Sequence, residues 1–324
     1  MSALTLRLAI DRYDRHMPFF DGTAPLPPGV AFEVFQVGQS GTYRDGTDRH
    51  GRMLKGEFDI AEFSLSTFLL ARQRGLPIVG VPVFSRRLFT ASQMYVRADA
   101  PFEHPRDLAG RRVAISSFQT TFSVLAKGDL KFEYGVPWED IRWCVSDHEK
   151  IPIDLKPGVV VERIGERGAL GALLEAGRID AVVVPHPIDT FAGTGPAPRR
   201  LFRDTRGEEL RYFARHGYVP IMHVLAMRED LAAREPWLPA ALVDSFDAAR
   251  RIAAGYYEDP SWSTMPRGRA AFEESLRDFG DCWRNGVAAN RANLARFVDY
   301  SVDQGLLARP LAVDELFAAG ARAT

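Results

Sequence analysis

Apolar runs of strand length alternate with stretches of helical periodicity from the start of the chain. This alternation is typical of an α/β fold with mainly parallel strands. The predicted strands are residues 4–10, 30–36, 58–62, 78–84, 94–96, 112–116, 159–164 and 181–184. The predicted helices are residues 67–74, 118–127 and 168–176, a loop with a helix is predicted at 38–56, and a loop at 191–198.

The pattern changes at ADAPFEHP, residues 98–105, whose composition indicates an exposed connection between two units. It returns to a strand-like run at GYVPIMHVLAM, residues 217–227, and the rest of the chain is almost wholly helical in pattern. We therefore predict a discontinuous lobe 1 of residues 1–98 and 217–324, with residues 99–216 inserted as lobe 2. Two crossovers between the lobes would leave a central ligand cleft, since open α/β sheets bind ligands beyond the carboxyl ends of their strands.

Composition and net charge argue against several classes of protein. With 324 residues and 46% hydrophobic content the chain can bury a large core, and its net charge of −1 argues against nucleic acid as a partner. No apolar run approaches the roughly 18 residues of a membrane span, and the N-terminal residues show no signal-peptide pattern, so a cytoplasmic location is expected. Cys144 and Cys282 are expected to be free thiols.

Motif spacing predicts no cofactor. There is no GxGxxG, Walker-type loop, GxSxG or HxxxH pair, although a divalent metal assembled from distant residues is left open. A homo-oligomer is likewise left open.

Polar side chains follow several predicted strands. Tyr13, Asp14 and Arg15 would place a phenol and a cation at the edge of the cleft, or would form a solvated strand end. Glu62 is followed by Ser64 and Ser66, which either start a helix that attracts an anion or are plain N-caps.

Lobe 2 repeats this construction, with Ser116, Gln119, Thr120 and Thr121 at a strand end that leads into a helix. Two such helix starts facing one cleft would clamp an acid.

Two arginines and several histidines are further candidates. Arg86 and Arg87 follow the strand predicted to end at Phe84, and either one could pair with a carboxylate or be exposed at the surface. His223 interrupts the apolar run PIMHVLAM and His186 follows the strand at 181–184; each is a catalytic or binding candidate or a core histidine. Three histidines in polar contexts are expected to be solvated: His50, His104 and His148.

Several segments together resemble the 4,5-dihydroxyphthalate decarboxylase family. They include LAIDRYDR, RMLKGEFDIAEFSLSTFL, GVPVFSRRLF, DLAGRRVAI, EYGV, VPIMHVLAMRED and ANRANL, and they run from near the first residue to the last part of the chain. The resemblance implies a two-lobed fold like that of type II periplasmic binding proteins, and cofactor-independent loss of CO2 from a hydroxylated aromatic acid similar to phthalate. The positions that match family motifs are Tyr13, Asp14, Arg15, Glu62, Ser64, Ser66, Arg87, Gln119, Thr121 and His223.

Such a reaction needs a cation to hold the acid, a general acid near the ring and hydrogen bonds to its hydroxyls. Arg87 or Arg15 suits the first role and His223 or Glu62 the second, because a histidine of neutral-range pKa can deliver a proton near pH 7. The family's FRHS and Glu-Tyr-Gln runs are replaced by residues 89–92, FTAS, and 117–119, SFQ, which predicts a less polar or differently substituted acid. The alternative is a non-catalytic binding or sensor protein for a small carboxylate.

Overall fold

The computed structural model describes residues 3–37, 49–149, 151–165, 170–188 and 198–324. Its strands are β1 (Leu4–Ile10), β2 (Val30–Gln36), β3 (Ile60–Ser64), β4 (Ile78–Arg87), β5 (Met94–Val96), β6 (Arg112–Ile115), β7 (Arg142–Val145), β8 (Val161–Arg163), β9 (Ala181–Val183), β10 (Arg199–Arg200) and β11 (Ile221–Arg228). Its helices are α1 (Met17–Asp21), α2 (Arg49–Leu54), α3 (Leu65–Gln73), α4 (Thr121–Phe132), α5 (Leu170–Glu175), α6 (Thr205–His216), α7 (Glu229–Arg234), α8 (Leu238–Ala254), α9 (Gly268–Phe279) and α10 (Val287–Asp303). Most of the predicted loops at 38–56 and 191–198, and the first two residues of the helix predicted at 168–176, lie outside the described residues.

The chain forms two compact units. Unit 1 contains Met1–Arg87, Ile221–Ala295 and Leu311–Thr324, and unit 2 contains Leu88–Pro220 and Arg296–Pro310. These bounds differ from the predicted ones for two reasons. Strand β5 pairs with β9 in the sheet of unit 2, which draws the residues after Arg87 into that unit. The end of α10 also belongs to unit 2, where Asp303 accepts hydrogen bonds from Lys131 and Trp138 at 2.6 and 2.7 Å.

Unit 1 is built on a five-stranded sheet in the order β2-β1-β3-β11-β4. Strand β1 runs parallel to β2 and β3, and β11 runs antiparallel to β3 and β4. Because β11 lies inside the sheet, seven of its eight residues are buried, which explains its continuous apolar sequence. Helix α8 packs the apolar side chains of Leu242, Phe246 and Ala249 into the same core.

Unit 2 has a six-stranded sheet in the order β10-β5-β9-β6-β7-β8. Its strands β9, β6, β7 and β8 are parallel, and β5 runs antiparallel to β9 and β10. Ala114, Cys144 and Val182 from three of these strands share one apolar cluster with Leu174 of α5. Cys144 and Cys282 are free cysteines, as expected.

Strands β1, β2 and β5 have the predicted bounds, whereas β7 and α6 were not predicted. Strand β7 has only four residues and begins with an exposed arginine, so its apolar run is too short to signal a strand. Among the helices of the described residues, none is both long and apolar enough to cross a membrane.

Candidate active site

A buried carboxylate, Glu62, lies near the end of β3 in unit 1 and has 0% exposure. The Tyr13 hydroxyl donates to its Oε1 at 2.9 Å, and the backbone N–H of Asp11 donates to Oε2 at 3.1 Å. Nδ1 of His223 is hydrogen-bonded to the same Oε1, and Nη2 of Arg49 lies 3.9 Å from it. These contacts offset the cost of burying the charge. We call Tyr13, Arg49, Glu62 and His223 the Glu62 cluster.

Sheet register brings the cluster together. His223 in β11 pairs with Ser64 of β3 on one side and with Arg86 of β4 on the other. The register between β11 and β4 shifts on both sides of His223. Bulges of this kind often lie next to active sites because they redirect a side chain. The loop that carries Tyr13 follows β1, which is parallel to β3, so both strands end at the same edge of the sheet.

Burial and neighbouring charges fix the protonation of the cluster. Burial alone would raise the pKa of Glu62, but Arg49 and His223 outweigh it and hold this pKa well below its usual range. Burial lowers the pKa of His223 to about 3, with Arg49 and Arg86 adding to the shift and Glu62 opposing it. Burial and the charge of Glu62 raise the pKa of Tyr13. His223 is therefore a neutral imidazole at pH 7, and the expectation of a neutral-range pKa is wrong.

The tautomer of His223 follows from its partner. An ionised Glu62 can only accept hydrogen bonds, so Nδ1 of His223 carries the proton and Nε2 holds a lone pair. Within the described part of the chain, the close polar contacts of this ring, to Oε1 of Glu62 and to Nη2 of Arg49, are both at Nδ1 and none is at Nε2. A carboxylate that orients a neutral histidine in this way prepares it to accept a proton at Nε2.

Helix α2 adds two residues that the sequence analysis missed as site residues. Arg49 reaches His223 with a distance of 3.4 Å between Nη2 and Nδ1. His50, expected to be solvated, accepts the backbone N–H of Ser64 through Nε2 at 3.0 Å and packs its ring against Phe63. Both residues stand just before the family-like block RMLKGEFDIAEFSLS, which is the signal that could have found them.

Arg15 and Asp14, in the loop after β1, contact different neighbours. Arg15 donates through Nε to the carbonyl of Ser85 at 2.9 Å, and its guanidinium lies 4.2 Å from the ring centroid of Tyr13. Asp14 instead accepts a hydrogen bond from the hydroxyl of Tyr257 at 2.7 Å. Arg15 thus lies beside a member of the Glu62 cluster.

Arg87 is buried, with 6% exposure, and is bonded within unit 1. Its Nη2 donates to the carbonyl of Arg284 at 2.8 Å and to Oδ1 of Asn290 at 2.7 Å. Arg86, by contrast, pairs with His223 across β4 and β11, and its charge helps to lower the pKa of that histidine. The role predicted for Arg87, binding the carboxylate of a ligand, is therefore better suited to Arg86.

The two predicted serines lie where β3 passes into α3. Ser64 occupies the N-cap position, but its side chain makes no capping hydrogen bond, which does not fit the plain N-cap interpretation. Its Oγ lies 3.4 Å from Oγ of Ser66, which is buried. Both hydroxyls are therefore next to the strand pair that carries Glu62 and His223.

The predicted binding residues of lobe 2 lie together in unit 2, between β6 and α4. Gln119 donates through Nε2 to the carbonyl of Ile151 at 2.6 Å, and Thr120 Oγ1 lies 2.7 Å from Oγ of Ser123. Helix α4 begins at Thr121, three residues later than predicted, and Ser116 is buried at the end of β6.

A carboxylate of the protein already occupies this loop. Glu149 accepts the backbone N–H of Phe118 at 2.6 Å through Oε1 and that of Gln119 at 3.0 Å through Oε2. The loop therefore holds a carboxylate group, but an internal one fills these two donors, and the predicted binding of a ligand's acid stays a prediction.

His186 is half-buried and follows β9 in unit 2, so it is not a fully buried core histidine. Across the described ranges, no group of three or more His, Cys, Asp or Glu side chains could hold a metal ion.

Two curated proteins resemble this chain in sequence. The 4,5-dihydroxyphthalate decarboxylase of Comamonas testosteroni is 34% identical over 98% of this chain and 97% of its own length. The enzyme of the same name from Pseudomonas putida is 29% identical over 64% of this chain and 80% of its own length. A family model described as NMT1/THI5 like matches residues 42–132.

Solved structures show the fold. The periplasmic aliphatic sulphonate binding protein of Escherichia coli aligns over 100% of both chains with a TM-score of 0.61 and 13% identity. The desulfurization enzyme DSZB aligns over 97% of this chain and 96% of its own, with a TM-score of 0.52 and 18% identity. The predicted periplasmic-binding-protein-like α/β fold is confirmed, and by their names the proteins that share it include both a binding protein and an enzyme.

Proposed function

Because the chain belongs to the 4,5-dihydroxyphthalate decarboxylase family, we propose that it is a carboxy-lyase that removes CO2 from a hydroxylated aromatic dicarboxylate. The observation that carries the chemistry is the hydrogen bond between buried Glu62 and Nδ1 of His223. It leaves a neutral imidazole with a lone pair at Nε2, to which the hydroxyl of a phenol can donate its proton.

In 4,5-dihydroxyphthalate each carboxylate stands para to a ring hydroxyl. Nε2 of His223 takes the proton of that hydroxyl, and the electron pair of the phenolate moves to the ring carbon that bears the carboxylate. The same proton is then delivered from Nε2 to this carbon. The C–C bond to the carboxylate breaks, its electrons restore the aromatic ring, and CO2 leaves. One further proton from solvent converts the phenolate product to a dihydroxybenzoate.

Charge in the Glu62 cluster supports this sequence of steps. Protonation of His223 produces an imidazolium beside the Glu62 carboxylate, which stabilises it while the proton is held. Tyr13 donates to the same carboxylate oxygen and so fixes its position. The chain's own residues thus supply a base, His223, and the carboxylate that orients it, Glu62.

A bound acid also needs cations. We assign this role to Arg86, the partner of His223 in β4, with Arg15 beside the ring of Tyr13. We assign the hydrogen bonds to the ring hydroxyls to Ser64 and Ser66, which lie where β3 passes into α3. The roles predicted for Arg87, for Asp14 and His186, and for Ser116, Gln119, Thr120 and Thr121 stay predictions, as do the ligand cleft, the cytoplasmic location and a homo-oligomer.

The second candidate is a non-catalytic binding protein, favoured by the likeness to a sulphonate binding protein. It would hold a small anionic acid and leave it unchanged. The sequence similarity to decarboxylases over nearly the full chain favours the enzyme.

A substrate panel tests the proposal. CO2 release is measured with 4,5-dihydroxyphthalate, with 4-hydroxyphthalate and with unsubstituted phthalate. We expect release from the hydroxylated acids and none from phthalate, because phthalate has no phenol to supply the proton and the electron pair. Release from 4-hydroxyphthalate alone would support the prediction, made from residues 89–92 and 117–119, that the substrate is a less polar acid than 4,5-dihydroxyphthalate. No release from any of them, with binding intact, would favour the binding protein.

A further inference from the structure

We propose that Arg49 is a positioning residue, which keeps Glu62 ionised and His223 neutral so that Nε2 can accept the substrate's proton. The role in turnover rests on the proposed decarboxylation, but the effect on the pair exists without substrate. The sequence pattern did not single out this arginine.

The geometry places one guanidinium nitrogen against both members of the pair. Nη2 of Arg49 lies 3.9 Å from Oε1 of Glu62 and 3.4 Å from Nδ1 of His223. Nη1 of the same side chain donates to the carbonyl of Val37 at 3.1 Å, which anchors it to the residue that follows β2. The side chain is 11% exposed, so its charge is poorly screened by solvent.

Arg49 cannot lose its proton, and it can only donate hydrogen bonds. If it donated to Nδ1 of His223, that nitrogen would hold a lone pair directed at Oε1 of Glu62, and the hydrogen bond of the pair would be lost. The hydroxyl of Tyr13 and the N–H of Asp11 already direct donors at the carboxylate. The arrangement is consistent only with an ionised Glu62 that accepts from Nδ1 and attracts Arg49 as a counter-charge.

Other charged or titratable groups also act on the pair. They are Asp11, Tyr13 and His16 after β1, His50 from α2, and Arg86 from β4. Arg49 and Arg86 both lower the pKa of His223, and Arg49 also lowers the pKa of Glu62. Arg49 thus contacts both members of the pair.

The test compares Arg49→Gln, Arg49→Lys and Arg52→Gln. Arg52 is a matched control, because it stands in the same helix but pairs with Glu57 at 2.8 Å. Removing a positive charge raises the pKa of both members, so in Arg49→Gln the acid limb of kcat/KM should move to higher pH by about one unit or more. Arg49→Lys should restore the limb, and Arg52→Gln should leave it in place.

The same variants are examined without substrate by NMR of the His223 imidazole nitrogens as a function of pH. The apparent pKa of the pair should rise in Arg49→Gln by a similar amount and stay near the wild-type value in the other two variants. This readout holds even if no substrate is turned over, so it separates failure of this inference from failure of the proposed function. An unchanged imidazole titration in a folded Arg49→Gln protein would overturn the role of Arg49.

Discussion

A buried carboxyl in unit 2, that of Asp129, has two hydroxyl groups as hydrogen-bond donors. Asp129 in α4 has 1% exposure, and its oxygens accept hydrogen bonds from Thr90 at 2.6 Å and Tyr300 at 3.0 Å. Burial is the main cause that raises the pKa of this carboxyl to about 7. It is therefore largely protonated in the folded protein at pH values where an unfolded chain would ionise it.

This shift predicts a pH-dependent effect of Asp129→Asn. Below about pH 4 the carboxyl is protonated in both states of the wild type, but between about pH 4 and 7 only the unfolded chain releases the proton. Rising pH therefore destabilises the wild type at this residue and leaves the variant unaffected. The free energy of unfolding of the variant, relative to wild type, should rise across this range by at most about 4 kcal/mol and then level off.

Denaturant unfolding of both proteins from pH 4 to 8 measures this difference. Asp99→Asn is the control, since that side chain is 68% exposed in the same unit. A difference between Asp129→Asn and wild type that does not change with pH would contradict the account of this residue.

Single-residue chemistry was partly predictable. Glu62, Tyr13 and His223 stand at strand ends or inside an apolar strand, and these positions are visible in the sequence. The contact of Arg49 with His223 joins residues 174 positions apart, and no local pattern marks it. The low pKa of His223 also could not be read from the sequence, because it depends on burial and on two arginines that only the fold brings near.

Among the elements, α4 and α10 pack so closely that one position tolerates only glycine. A Cβ at Gly128 in α4 would overlap the ring of Tyr300 in α10. That ring cannot easily move aside, because it stacks on Phe132 and its hydroxyl accepts from Arg296 at 2.7 Å and donates to Asp129.

Gly128→Ala should therefore destabilise the protein by about 1 to 3 kcal/mol or more, although alanine normally favours a helix by up to about 1 kcal/mol. Gly255→Ala is the matched control at the end of α8, where a Cβ would meet nothing within 4 Å. We expect that variant to be neutral or slightly more stable. Thermal unfolding of the two variants measures these changes in stability. A Gly128→Ala protein as stable as wild type would contradict the prediction, because the ring of Tyr300 would then have moved without a loss of stability.

Element bounds were predictable where the apolar pattern is strong and less so elsewhere. Strand β1 was predicted in full, whereas β4 extends to Arg87, three residues beyond its predicted end. Its last residue has partners far along the chain: Nη2 of Arg87 donates to the carbonyl of Arg284 and to Oδ1 of Asn290. A pattern within one segment cannot show such a partner.

At the scale of the whole molecule, the sequence predicted the α/β class and the resemblance predicted the periplasmic-binding-protein-like fold. The pattern did not reveal that residues 296–310 join unit 2, because a continuous helix, α10, passes from one unit to the other. The fold itself does not decide between catalysis and binding, so that question depends on the Glu62 cluster.

The most direct test measures CO2 release and ligand binding in parallel, with 4,5-dihydroxyphthalate, for wild type and His223→Ala. His148→Ala is the control, since that exposed histidine pairs with Arg163 at 2.8 Å and belongs to unit 2. We expect wild type and the control to release CO2, and His223→Ala to bind with similar affinity but to lose about 10² to 10⁴ of the turnover, as is typical of a lost acid–base group. Wild-type protein that binds the acid but releases CO2 neither from it nor from 4-hydroxyphthalate, or a His223→Ala protein with full turnover, would contradict the account.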